Sequence, residues 1–147
     1  MARVIFGVVL FSMVFAQATI IPALNPLNVS PDFVLLLLFV VTLFAGVREG
    51  LAWLFVAGIL TDVLAMDPLG ANGLALLPAV VLVEPARLPV FRANLLIPLV
   101  LVLVATLLHG LIQGLIRGMV PDITLVLQAL LHAILFPLFY LLLRWLE

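Results

Sequence analysis

The sequence predicts an all-α integral membrane protein of six transmembrane helices, and three observations carry that prediction. The chain has 147 residues, of which 67% are hydrophobic and 9% charged; a soluble domain carries about 25% charged residues. The apolar residues fall into six runs, which at about 20 residues a span take about 120 positions. Roughly 27 are then left for five connections and two tails, so residues 1–147 read as a single polytopic membrane domain with no room for an extramembrane one. Finally, the arginines fall mostly on one side of a path that crosses six times. The same composition excludes several function classes. Without cysteine there are no disulfides, thiolate metal sites or thiol nucleophiles. Without lysine there is no Schiff-base chemistry. A net charge of −1 and the lack of any basic tract argue against nucleic acid as a partner.

The elements follow in order. Arg3 and the run VIFGVVLFSMVFAQA resemble a secretory signal, with Ala16-Gln17-Ala18 as a cleavage site. The preferred reading is an uncleaved first span to Ile21, stopped by Pro22, because further spans follow. Asparagine and proline mark Ala23–Pro31 as a connection. Pro31-Asp32 opens span two, which runs to Val47, and the acidic group there complements the helix dipole. Arg48-Glu49-Gly50 reads as a tight turn into span three, which ends at Met66. Span four, Ala71–Val83, is short and carries Pro78. Pro85 and Pro89 argue against a continuous helix between Glu84 and Arg92. Span five covers Asn94–Met119 and span six Asp122–Leu146, with Pro137 inside it.

On this path Arg3, Arg48, Arg87, Arg92 and Arg144 share one side and Arg117 lies on the other. The positive-inside rule makes the first side, with both termini, cytoplasmic. Trp53 and Trp145 fall near the same interface, where aromatic belts sit. Arg87 and Arg92 are expected at the lipid headgroups, with contact to a cytoplasmic protein as the alternative.

The stretch Gly50–Leu74 organises the rest. An aspartate inside an apolar span costs about 2.5–3.5 kcal/mol on insertion scales, so Asp62 is expected to be shielded from lipid. Gly50 and Gly58 share its 4-residue spacing and clear one side of the helix for close packing. Asp62→Asn is expected to keep the shape of this surface. The helix breaks at Asp67-Pro68-Leu69-Gly70. Asp62 and Asp67 could be read as a catalytic acid pair, but Pro68 ends the helix directly after Asp67, which separates their settings. A structural or partner-facing role is the preferred reading of Asp62.

Span five carries Gly110, Gly114 and Gly118 below Thr106, an extended small-xxx-small row that signals helix packing against its own helices or a partner's. Beside it runs a polar stripe of His109, Gln113 and Arg117, and span six answers with Thr124, Gln128 and His132. Two histidines could suggest a metal site or a proton relay, yet no metal-ligand spacing accompanies them. Facing antiparallel positions pair Arg117 with Thr124, Gln113 with Gln128 and His109 with His132, a ladder of interhelical hydrogen bonds. No catalytic, cofactor or metal residues are expected.

Pro31-Asp32, then Gly50, Gly58 and Asp62, then Pro68-Leu69-Gly70 and Gly73-Leu74, in a small apolar six-span chain, resemble the rod shape-determining protein MreD family. The resemblance covers residues 31–75. It implies a non-enzymatic scaffold of the bacterial inner membrane, within the elongation machinery that builds peptidoglycan. The implied partners are the single-span protein MreC, the MreB filaments and the RodA–PBP2 synthase, besides membrane lipids. It also implies a fold similar to the substrate-binding components of vitamin transporters. The alternative is a small-solute-binding subunit of a transporter, which would gather polar groups at mid-membrane.

Overall fold

A helix that is apolar on every side is surrounded either by other helices or by lipid. Phe33–Ala45 (α2), with the sequence FVLLLLFVVTLFA, is such a helix, and its residues from Val34 to Val40 are all buried. The computed structural model describes residues 2–24, 29–87 and 94–146, and no strand occurs among them. Around α2 stand α1 (Ala2–Leu24), α3 (Val47–Ala65), α4 (Ala71–Val81), α5 (Leu96–Arg117) and α6 (Ile123–Leu146). α2 packs against all five, and a 3₁₀ turn at Glu84–Arg87 covers it as well. Phe39 of α2 meets Phe136 of α6 edge to face, with ring centroids 5.7 Å apart.

Among the described residues three helices are long and apolar enough to cross a membrane: Arg3–Ile21 within α1, Leu96–Arg117 and Ile123–Trp145. The 13 residues of α2 and the 11 of α4 reach only about 20 and 17 Å at 1.5 Å per residue, against a hydrocarbon core of about 30 Å. The 19 residues of α3 include Arg48, Glu49 and Asp62.

Side-chain contacts fix the direction of each helix. At one end Arg3 pairs with Glu49 at 3.0 Å, and Arg87 Nε donates to the Leu43 carbonyl at 3.3 Å. At the other, Arg117 pairs with Asp67 at 2.7 Å and Gln128 donates to the Ser30 carbonyl at 2.9 Å. The six helices among the described residues therefore alternate in direction, and the start of α1 and the end of α6 lie at the Arg3 end.

Several boundaries differ from expectation. α1 continues through Pro22 to Leu24, although the proline has no N–H to give to the helix. Between α2 and α3 a single residue makes the turn: Gly46, at φ +102°, a conformation other residues rarely adopt. Arg48, Glu49 and Gly50 lie inside α3, where Gly50 receives the Thr42 side chain of α2. Farther along, Gly58 faces Gly73 of α4, and a Cβ at Gly58 would stand 2.7 Å from the Gly73 Cα. The side of α3 cleared by glycine is thus filled by this chain's own α2 and α4. Arg92 and Pro89 lie outside the described residues.

Candidate functional site: a polar centre between the helices

α4 begins directly after Gly70, which offers it no capping side chain. Its first N–H groups need acceptors, and Asp62 of α3 supplies them. One Asp62 oxygen accepts from the Gly70 N–H at 2.5 Å. The other accepts from both the backbone N–H and the side-chain amide of Asn72, each at 2.9 Å. A carboxylate is favoured at a helix N-terminus by the dipole, so Asp62, fully buried, clamps the turn and caps α4 at once.

Asn72 extends the cluster. Its amide N–H also donates to Asp67 at 3.0 Å, and its oxygen accepts from Gln113 Nε2 at 2.8 Å. Partial burial works against the ionised form of Asp67, but hydrogen bonds from Arg117 and Asn72 hold its carboxyl below the usual carboxylate range. Asp62 and Asp67 are bridged by the Asn72 amide and make no side-chain hydrogen bond to each other, which is the arrangement of a clamp and not of an acid pair.

A second cluster is built on Asp32. One of its oxygens accepts from the Leu35 N–H at 2.9 Å, capping α2 as expected. The other lies 3.0 Å from His109 Nε2, and His109 Nδ1 lies 2.8 Å from the Ala75 carbonyl. A carbonyl only accepts, so Nδ1 carries hydrogen and a single proton sits between Nε2 and Asp32. His132 Nε2 accepts from the Asp32 backbone N–H at 2.7 Å. Its Nδ1–H therefore donates to Thr106 Oγ1 at 2.8 Å, and that hydroxyl donates to the Val102 carbonyl at 2.8 Å. With the His132 lone pair already engaged, these three residues make no metal site. No group of three metal-binding side chains occurs among the described residues.

The expected ladder between α5 and α6 is corrected by these contacts. The stripe on α5 is answered by α4 and the turn before it: His109 meets Ala75, Gln113 meets Asn72 and Arg117 meets Asp67. As one position number climbs the other falls in step, as it must for antiparallel neighbours, but the neighbour is α4. From α6, Gln128 and His132 reach the backbone at Ser30 and Asp32, where the chain leads into α2. His109 and His132 meet only through Asp32, and the Thr124 side chain makes no hydrogen bond among the described residues. Gln113 and Gln128 do line one common cavity.

The glycine row divides into three local roles. Gly110 admits Leu125 of α6, Gly114 lies beneath the Met119 carbonyl, and Gly118, at φ +67°, ends α5. Pro68, by contrast, acts through its carbonyl, which accepts from the Ala71 N–H at 3.0 Å, and Pro31 sits half-buried beside Asp32. Sequence reasoning missed Asn72, the hub of the first cluster, and Gln17, whose oxygen accepts from the Val34 N–H at 3.3 Å. An asparagine at the start of an otherwise apolar span was the available signal for the first.

Between the two clusters lies a cavity of about 320 Å³ lined by side chains of α1, α3, α4, α5 and α6 and by Ser30 and Asp32. No curated protein and no solved structure matches the chain. The family model described as rod shape-determining protein MreD matches residues 1–146. The chain therefore belongs to the MreD family of rod shape-determining proteins.

Proposed function

We propose that this protein is a non-enzymatic scaffold of the bacterial cell-elongation machinery, which binds the transmembrane helix of a partner such as MreC. The family match over residues 1–146 carries this reading. The RodA–PBP2 peptidoglycan synthase and the MreB filaments are further members of the assembly on the same reading. The chain sits in the inner membrane as one polytopic unit of six crossings, both termini cytoplasmic, in a fold similar to the substrate-binding components of vitamin transporters.

Two features support it. The segments flanking the short helices have their polar groups satisfied from inside: Asp62 serves the Gly70 turn, while Gln128 and His132 serve residues 30–32. Non-helical backbone at membrane depth needs such partners. The buried carboxylates are likewise matched with donors, as a structural role requires. Because α2 and α4 fill the sides of α3 cleared by Gly50 and Gly58, the partner helix belongs on the outer apolar surface, which Val4, Leu115 and Ile134 help to form.

Co-expression with an MreC-like single-span protein, mild detergent extraction and pull-down on the tagged chain test the proposal. The single-span protein in the eluate is the expected result. Its absence, with the chain still folded, would overturn partner binding. The second reading, a small-solute-binding subunit of a transporter, draws on the polar cavity and would be favoured by uptake that depends on this chain.

A further inference from the structure

We propose that the cavity lined by α1, α3, α4, α5 and α6 binds a small uncharged solute that both donates and accepts hydrogen bonds, of the polyol or primary-amide class. Size is the first argument. At about 320 Å³ the cavity falls at the lower end of small-molecule sites, which run from about 300 to 1,000 Å³.

Charge is the second. The ionisable side chains in its wall are Asp32, His109 and Arg117. Asp32 is engaged by His109 at 3.0 Å, and Arg117 by Asp67 at 2.7 Å. A charged ligand would give up part of its hydration in this half-open site and find the counter-charges there already matched, at a desolvation cost. A neutral one meets no such penalty.

Hydrogen-bonding capacity is the third argument, and the networks fix its direction. Asn72 must turn its N–H groups to the two aspartates, so its oxygen faces Gln113, which donates and keeps its own oxygen free. Gln128 donates to Ser30 and likewise keeps an acceptor. Gln17 must turn its oxygen to the Val34 N–H, which leaves its amide N–H groups as donors. The cavity therefore offers two acceptors from α5 and α6 and a donor from α1. Leu64 and Ala65 of α3 supply an apolar wall. Six segments of the chain converge on this arrangement, with neither metal-binding nor acid-pair geometry in it.

The test uses the purified full-length chain in detergent and saturation-transfer NMR, with erythritol and nicotinamide as neutral probes and nicotinate as the charged counterpart. At least one neutral probe is expected to bind, with nicotinate silent. Gln113→Leu should weaken that binding about tenfold, the scale of one lost hydrogen bond. Ala65→Phe, which fills the cavity and removes no hydrogen-bonding group, should abolish it. Thermal unfolding checks that each variant is folded, and Ala65→Phe carries the test if Gln113→Leu is not. Silence of both neutral probes on the wild-type chain, leaving water as the occupant, would overturn the proposal. Equal binding of nicotinate would do the same, as would binding unchanged in the folded variants. The assay contains no partner protein, so its result is independent of the pull-down.

Discussion

Both oxygens of Asp62 face only N–H donors: Gly70 on one side and the two groups of Asn72 on the other. An asparagine in its place has one oxygen and one NH₂ group, so one of those donors would meet another donor. The sequence suggested that Asp62→Asn preserves the surface, and the geometry argues otherwise. Asp62→Asn is expected to lower stability by about 1–3 kcal/mol, the cost of a buried donor left unsatisfied. Asp62→Leu, which abandons all three donors, should cost more and loosen the turn before α4. Thermal unfolding in detergent measures both, and an Asn variant as stable as wild type would remove Asp62 from its capping role. The shielding of Asp62 from lipid was legible in the sequence, because a carboxylate in an apolar helix has few places to go. Its acceptor role was not, since the donors it serves lie in a turn whose path a sequence does not give.

Helix pairing in this fold rests on where backbones approach, and the Gly58–Gly73 contact is asymmetric. A Cβ on Gly58 would stand 2.7 Å from the Gly73 Cα, whereas one on Gly73 would stand 3.8 Å from the Gly58 Cα. The first is a collision with backbone that no rotamer change relieves; the second is an ordinary contact. Gly58→Ala is therefore expected to destabilise by about 1–3 kcal/mol, the range for overpacking, and Gly73→Ala by much less. A helix-propensity effect alone would make both substitutions stabilising, so comparing the two unfolding midpoints separates the explanations. Periodicity made the polar stripe of α5 and the cleared side of α3 readable. It did not say which helix lies opposite, because a stripe defines a face and six helices offer several neighbours. α6 follows α5 through a short connection and is its natural partner by chain order. Yet Ala75, Asn72 and Asp67 meet the stripe.

For the whole molecule the open quantity is orientation. Alternating helices gather Arg3, Arg48, Arg87 and Arg144 at one end, and Arg117 alone among the described arginines lies at the other. The positive-inside rule counts cationic side chains near the ends of spans and gives acidic ones little weight. The pairing of Arg3 with Glu49 therefore does not cancel its contribution. The chain has no cysteine, so single cysteines report position without background. Glu84 and Leu69 are both exposed and lie at opposite ends of the bundle. In cells with a permeabilised outer membrane and an intact inner one, Leu69→Cys should react with a membrane-impermeant maleimide. Glu84→Cys should react only after the inner membrane is opened. The reverse pattern would invert the orientation while keeping the alternation. Reaction of both from the same side would mean that α4, at 11 residues, does not carry the chain across.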